Sequence, residues 1–261
     1  MSNVTDMGSM FSRARYFNHD IGGWDVSSVR NMNSMFNGAI AFNQGIGGWD
    51  VSSVRDMNSM FNDATAFNQS ISDWNVGSVT DMEYMFNSAS VFNQIIGKWD
   101  VSSVTNMECM FRHASAFNQG IGDWNVSSVS NMRGVFSFAS VFNYDIGDWD
   151  VSDVTDMSLM FYRASAFNHG IGGWSMSNVT SLAWMFSDAP TFNQDIREWD
   201  VSSVTSVYSM FRGASAFNYP LCWNVTSAEA AQIRTSRDPE ISIEVLGVDC
   251  FSAISPSSSP T

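Results

Sequence analysis

Three cysteines, Cys109, Cys222 and Cys250, are too few and too unevenly placed for a disulfide framework to carry a chain of 261 residues. Cys222 and Cys250 bracket the C-terminal segment, so one bridge between them is the expectation for an oxidising compartment, with Cys109 left single. Basic residues are scarce: 12 Lys and Arg stand against 26 Asp and Glu, a net charge of −14. That balance repels phosphate backbones and disfavours nucleic acid and anionic membrane surfaces as partners. No apolar run approaches the roughly 20 residues needed to span a bilayer, and MSNVTDMGSM has neither the charged start nor the apolar stretch of a signal peptide. No nucleophile elbow, phosphate loop, CxxC or HExxH occurs, and three histidines are all the chain has. His19 and His169 fall at equivalent repeat positions six units apart, roughly 28 Å at a strand-like spacing, too far to share a metal. With His113 they read as solvated surface residues. Neither catalytic residues nor cofactor or metal ligands are expected.

The sequence also lacks interruptions. Cut at residues 1, 26, 51, 76, 101, 126, 151, 176 and 201, it aligns as nine units of 25 residues without insertion or deletion until Leu221. A fixed period of this kind marks a repeat array in which each unit buries its apolar face against its neighbours. Positions within a unit are called phases 1 to 25 below. Phase 11 is Phe in all nine units (Phe11 to Phe211), phase 14 Ala, phase 17 Phe and phase 18 Asn; phase 4 is always Val. Phases 7 and 10 are nearly always Met, and phase 24 is Trp in the first eight units. Met1 stands at phase 1, inside the repeat, which suggests a leader and further units beyond the sequence.

Within a unit, Val, Met, Met-Phe and Ala at phases 4, 7, 10, 11 and 14 recur every three or four residues, the spacing of one helix face over about three turns. Asp or Asn at phase 25 and the Ser residues after it supply helix-opening acceptors. Phases 8, 9, 12 and 13 vary and should face water. Phases 16 to 21, as in Ala66-Phe67-Asn68-Gln69-Ser70-Ile71, read as a short strand, and Gly at phase 22 as a turn needing unusual backbone angles. Stacked at about 4.8 Å per unit, nine units form a rod of roughly 43 Å. Asn at phase 18 is expected as a buried ladder joining successive units. The Asp/Asn column at phase 25 reads as turn and cap in preference to calcium ligation, because Asn and Ser replace Asp there.

The period slips at Leu221, and Trp223 arrives one place early. Thr226-x-x-Glu229 is a capping box, predicting a helix to about Arg234, and Ile241 to Val245 alternates as a strand. The expected organisation is therefore a repeat solenoid over 1–221, a capping segment over 222–254 and a disordered Ser-Pro tail over 255–261. Five N-x-S/T triplets begin at Asn3, Asn68, Asn125, Asn178 and Asn224; a repeat this rich in Asn, Ser and Thr produces them by chance, so they lend secretion little weight.

The unit FNQ-x-I-x-x-W-D-V-S-x-V-T-x-M-x-x-M-F-x-x-A resembles the BspA-type surface-protein repeat, related to leucine-rich repeats, over residues 1 to about 220. The resemblance implies an α/β repeat solenoid, a leucine-rich-repeat-like right-handed coil with one short strand and one short helix per unit. It also implies an extracellular or cell-surface setting and a part in adhesion or protein interaction, and it brings no fixed binding residues. Phe in place of Leu at phase 17 departs from it.

Any ligand must be read by the phases that vary. Tyr84, Phe138, Tyr162, Trp184 and Tyr208 fall on those phases, and Tyr144 and Tyr219 replace Gln at phase 19, enriching the later units in aromatic residues. Exposed aromatics are favoured interface anchors, so these seven are the candidate partner-binding residues. The expected role is a non-catalytic surface or secreted scaffold for a protein or glycan partner. The alternative is a passive spacer, or a rod that self-associates end to end through its uncapped N-terminal coil.

Overall fold

The computed structural model describes residues 3–221 and 223; the expected Cys222–Cys250 bridge, the tail and, Trp223 apart, the capping segment lie outside them. The 25-residue units stack in register. Parallel bridges join phase 6 of each unit to phase 6 of the next, from Asp6↔Asn31 through Ser181↔Ser206.

Between those bridges the expected architecture is overturned. There is no helix among the described residues, and phases 16 to 21 form no strand. The one-strand, one-helix coil implied by the resemblance is therefore not what this sequence folds into. Phases 7 to 14, expected as the helix, form a run of β-turns that also carries the pairing between units. In unit 3, Met57, Ser59, Phe61 and Asp63 donate their amides forward to the carbonyls of Asp81, Glu83, Met85 and Asn87 at 2.7–3.1 Å. The alternate residues Met60, Asn62 and Ala64 donate back three residues to Met57, Ser59 and Phe61. With the Asn58 amide donating to Asp56 Oδ1 at 2.9 Å, each amide in this run is satisfied, every second one by a neighbouring unit, which an α-helix with its internal i→i−4 bonds could not do.

The geometry requires left-handed backbone at two positions in each unit. Phases 9 and 13 have positive φ in all nine units: fifteen non-glycine residues, among them Tyr84, Phe138, Leu159 and Trp184, and three glycines, Gly38, Gly134 and Gly213. These are the third residues of successive turns, where a positive φ is the mark of type II geometry. A turn brings residues i and i+3 together much as a helix does. The apolar spacing of three and four is shared by both structures, and it cannot tell them apart.

The core is a set of columns. In unit 3, Phe61 and Phe67 stack at 4.0 Å between ring centroids, and each stacks on its counterpart in unit 4 at 5.6 and 6.1 Å. Trp74 lies 6.4 Å from Trp99, whose Nε1 donates to the Ile71 carbonyl at 3.1 Å, so the indole is held by the unit below. Val, Met and Ala at phases 1, 4, 7, 10 and 14 fill the remainder and are buried in the interior units. Asn at phase 18 does join the units: the Asn93 amide donates to Asn68 Oδ1 at 3.0 Å, and Gln94 Nε2 donates to the same oxygen at 2.9 Å. This ladder is half-buried or exposed, not buried as expected, and it seals one side of the stack. At phase 25, Asp100 Oδ1 accepts from both the amide and the hydroxyl of Ser102, holding the carboxyl below the usual carboxylate range.

Glycine at phase 22 has a different cause from the one expected. Its φ is not left-handed; instead the next unit passes too close for a side chain. A Cβ on Gly122 would lie 2.5 Å from the Asp145 carbonyl oxygen, and one on Gly47 the same distance from that of Ser70. Gly48, one phase later, has nothing within 4 Å of an added Cβ. Gly122→Ala should therefore lower stability by about 1–3 kcal/mol, as overpacking does, while Gly48→Ala leaves it unchanged or slightly raised. Denaturant midpoints of the two variants check this, and equal midpoints would refute the close-approach account.

A second test addresses the left-handed positions. Asp63 adopts φ +55° at phase 13, and its side chain is exposed. Asp63→Gly should stabilise by about 1 kcal/mol through relief of the non-glycine left-handed cost, read as a rise in Tm.

Candidate functional site

The face built by phases 8, 9, 12 and 13 changes character along the stack. In units 1 to 4 these sixteen positions are mostly Asn, Ser and Gly, with one aromatic, Tyr84. In units 5 to 9 they include Phe138, Tyr162, Trp184 and Tyr208 and the four arginines Arg112, Arg133, Arg163 and Arg212. Against those stand Glu108 and Asp188, so this part of the face carries +2 (four cations less two carboxylates) on a chain of −14.

The stack brings these side chains into one strip. His113 stacks on Phe138 at 4.0 Å; Phe138 meets Tyr162 edge to face at 5.1 Å, Tyr162 meets Trp184 at 6.2 Å, and Trp184 meets Tyr208 at 5.3 Å. The Arg163 guanidinium lies 5.3 Å from the centroids of both Phe138 and Tyr162, and that of Arg212 lies 5.8 Å from Trp184. Such cation–π contacts favour arginine, whose flat guanidinium is weakly hydrated. Arg163 also pairs with Asp188 at 3.2 Å. Tyr208 is 48% exposed; Phe138, Tyr162 and Trp184 are half-buried by one another, so the strip presents ring edges and faces together.

Tyr84 stands at the lower end of this strip, across a cavity of ≈ 240 Å³. Gly134 and Ser137 are small where neighbouring units have larger residues, and the gap they leave is walled by Arg112, Arg133, Phe138 and Tyr162, with Cys109 at its base. Burial pushes the Cys109 thiol up, which keeps it protonated, and burial together with the adjacent cysteine pushes the Tyr84 phenol up to about 12. Cys109 is a free, buried thiol.

Five of the seven residues singled out in the sequence thus belong to one surface, Tyr84, Phe138, Tyr162, Trp184 and Tyr208. The other two do not join it. Tyr144 and Tyr219 lie at phase 19 on the side of the Asn ladder, three units apart, with the Tyr144 ring over Gly120 and Tyr219 beneath the Arg197 guanidinium at 5.7 Å. Sequence reading missed the arginines between the rings. It also placed His113 in solvent, whereas it is half-buried against Phe138 and held below the usual histidine range by burial and by Arg112. The available signal was the gathering of four arginines at variable phases of a chain that has few cations.

Next to the strip, on units 3 to 5, carboxylates crowd. Glu83 accepts from Asn58 and Asn106 at 3.1 and 3.0 Å, yet burial, Asp81 and Glu108 raise its carboxyl above the usual range; burial and Asp56 do the same for Asp81. No group of three or more potential metal-ligating side chains gathers among the described residues, and no helix there is long and apolar enough to cross a membrane.

The model of one protein family, described as "Mycoplasma protein of unknown function, DUF285", matches the chain three times, over residues 1–99, 85–189 and 140–237. No curated protein matches the chain.

The carboxylate crowding yields a signed pH effect. A carboxyl raised in the folded chain costs stability once pH rises through its titration, and it costs nothing where folded and unfolded forms are both protonated. Asn already serves at phase 6 in Asn31 and Asn106, whose Oδ1 atoms accept the amide two residues on, as Asp81 does for Glu83. Asp81→Asn should therefore stabilise the protein at pH 7 and have no effect near pH 3, measured by urea unfolding at both. Destabilisation at pH 7 would show that the carboxylate contributes more than it costs.

Proposed function

We propose, from the premise that the chain belongs to the DUF285 family, that its stacked units are a non-catalytic scaffold holding the aromatic–arginine strip of units 5 to 9 against a macromolecular partner. The family description names no activity, so the reading rests on the strip itself. Its single supporting observation is the unbroken contact series from His113 to Tyr208 with guanidinium groups laid over its rings. Aromatic and arginine side chains are the residues most often responsible for interface energy, and nothing in stacking the units calls for them at these phases. Units 1 to 4 mostly have Asn, Ser and Gly at the same places and make the same backbone bonds to their neighbours.

The partner that fits is a protein or glycan presented at an extracellular surface, with acidic groups set among apolar or saccharide faces. The strip's charge of +2 on a chain of −14 favours acidic partners locally while the remaining surface repels them, so the charge pattern orients the encounter. The rings supply the flat, partly apolar area on which sugar faces and apolar side chains pack.

Direct binding to a panel of extracellular-matrix proteins and glycans tests the reading, with Trp184→Ala and Tyr208→Ala compared at equal folded fraction. A partner should be found, and each substitution should weaken it by about 2 kcal/mol, roughly thirty-fold. A partner indifferent to both substitutions would place the surface elsewhere. Silence across the panel would favour the spacer role, with sedimentation at rising concentration as its own check.

A further inference from the structure

We infer that the notch at unit 6 is a specific site for a carboxylate carried on a single compact ring. The inference rests on the reading of the strip as a binding surface and names the chemistry its lower end accepts.

The notch exists because a column loses its side chains. Phase 9 carries Tyr84, Cys109, Gly134, Leu159 and Trp184 in successive units, and phase 12 carries Asn87, Arg112, Ser137 and Tyr162. In a stack where each residue lies over its counterpart, Gly134 and Ser137 leave unfilled the space that their neighbours border. The opening of ≈ 240 Å³ has room for one six-membered ring with a carboxylate attached.

Its walls differ in chemistry. One is aromatic: Phe138 and Tyr162, packed edge to face and backed by Arg163 at 5.3 Å from both. The other is cationic. Arg112 makes no ion pair within 4 Å among the described residues, and it ends the amide ladder in which Asn62 Nδ2 donates to Asn37 and Asn87 Nδ2 donates to Asn62. Arg133 lies 3.6 Å from Glu108, a loose contact. Glu108 has other donors: Asn131 Nδ2 at 3.0 Å and the Tyr84 hydroxyl at 3.5 Å. Both guanidinium groups are therefore able to turn their paired N–H groups to an incoming anion, the geometry in which arginine holds carboxylates best. Two cations and one carboxylate leave the notch at +1, which one ligand carboxylate neutralises.

Ring on the aromatic wall and carboxylate on the arginines describes two sources, an aromatic carboxylate and an acidic sugar. Binding to the whole chain by saturation-transfer NMR with benzoate and with glucuronate separates them, benzyl alcohol and glucose serving as uncharged counterparts. At least one carboxylate should bind where its counterpart does not, and Arg112→Gln and Arg133→Gln should each weaken it by about ten-fold, the usual loss for one charged hydrogen-bonding group. Gly134→Leu should block the notch; Leu159 already holds a leucine at this phase with φ +62°, so the backbone there accepts one. The Gly134 Cβ position lies 3.0 Å from Cys109 Sγ, so the variants at half-buried Arg112 and exposed Arg133 carry the test should that variant fail to fold. Gly48→Ala, in unit 2 with nothing within 4 Å of the added Cβ, should leave the probes bound within about two-fold.

Carboxylates that bind no better than their uncharged counterparts, or that ignore both arginine substitutions, overturn the inference. Probe binding together with silence on the macromolecular panel would keep the notch and remove the scaffold reading. A partner lost in Trp184→Ala, with no carboxylate bound, would do the reverse.

Discussion

The exchange of backbone hydrogen bonds between units is the constraint from which the other features follow. Phases 7, 9, 11 and 13 must each find a carbonyl in the next unit, so every unit needs the same length and the same turns, and a single inserted residue would break several bonds at once. This explains a period held at 25 over nine units more directly than any requirement of the side chains. Registered backbones then place like residues over like. Two Phe columns and one Trp column arise from that registration, and the phase-22 glycines are the toll of bringing neighbouring backbones this close.

Registration also divides the sequence into fixed and free positions. A residue facing inward contacts two copies of itself, so changing it in one unit disturbs three. On the outward phases a side chain borders solvent on one side and need not match the copy above or below it, so those phases can diverge. They have done so with a gradient, from Asn and Ser in the early units to Arg and aromatic residues in the later ones. The turn geometry sharpens the effect. With phases 9 and 13 left-handed, side chains from adjacent units lie close enough for Phe138 to touch both His113 and Tyr162.

The repeat and its core columns were legible in the residues, because burial selects the same side chain nine times. The local structure was not. Met57, Met60, Phe61 and Ala64 have the spacing of a helix face, yet their chain turns at every third bond and shares its amides with a neighbour. The signal against a helix was present in the outward residues: Asn58-Ser59 and Asn62-Asp63 favour turns and tolerate left-handed backbone, and are poor helix formers. The strand was sought at Phe67 to Ile71, where side chains alternate, whereas pairing runs through the turns, whose side chains do not. At the candidate site the aromatic residues could be picked out one by one. Their assembly could not, because contact between phase 13 of one unit and phase 12 of the next depends on the turn geometry that the helix expectation replaced.

The same geometry bears on how strongly such a surface can bind. Association loses free energy when side chains that move freely in solution must be fixed, roughly 0.5–1.5 kcal/mol for each rotamer-rich residue. In the strip much of that ordering is already complete: Arg163 is held by Asp188 and two rings, Tyr162 lies between Phe138 and Trp184, and the backbone beneath is tied to both neighbouring units. Arginine and tyrosine on an ordinary loop would lose that freedom on contact. On stacked units they lose it on folding, so the shape of the strip is set before any contact is made. A repeat whose backbone bonds run between units can therefore support a small binding area with little help from the surrounding surface, which here is polar and carries the opposite charge.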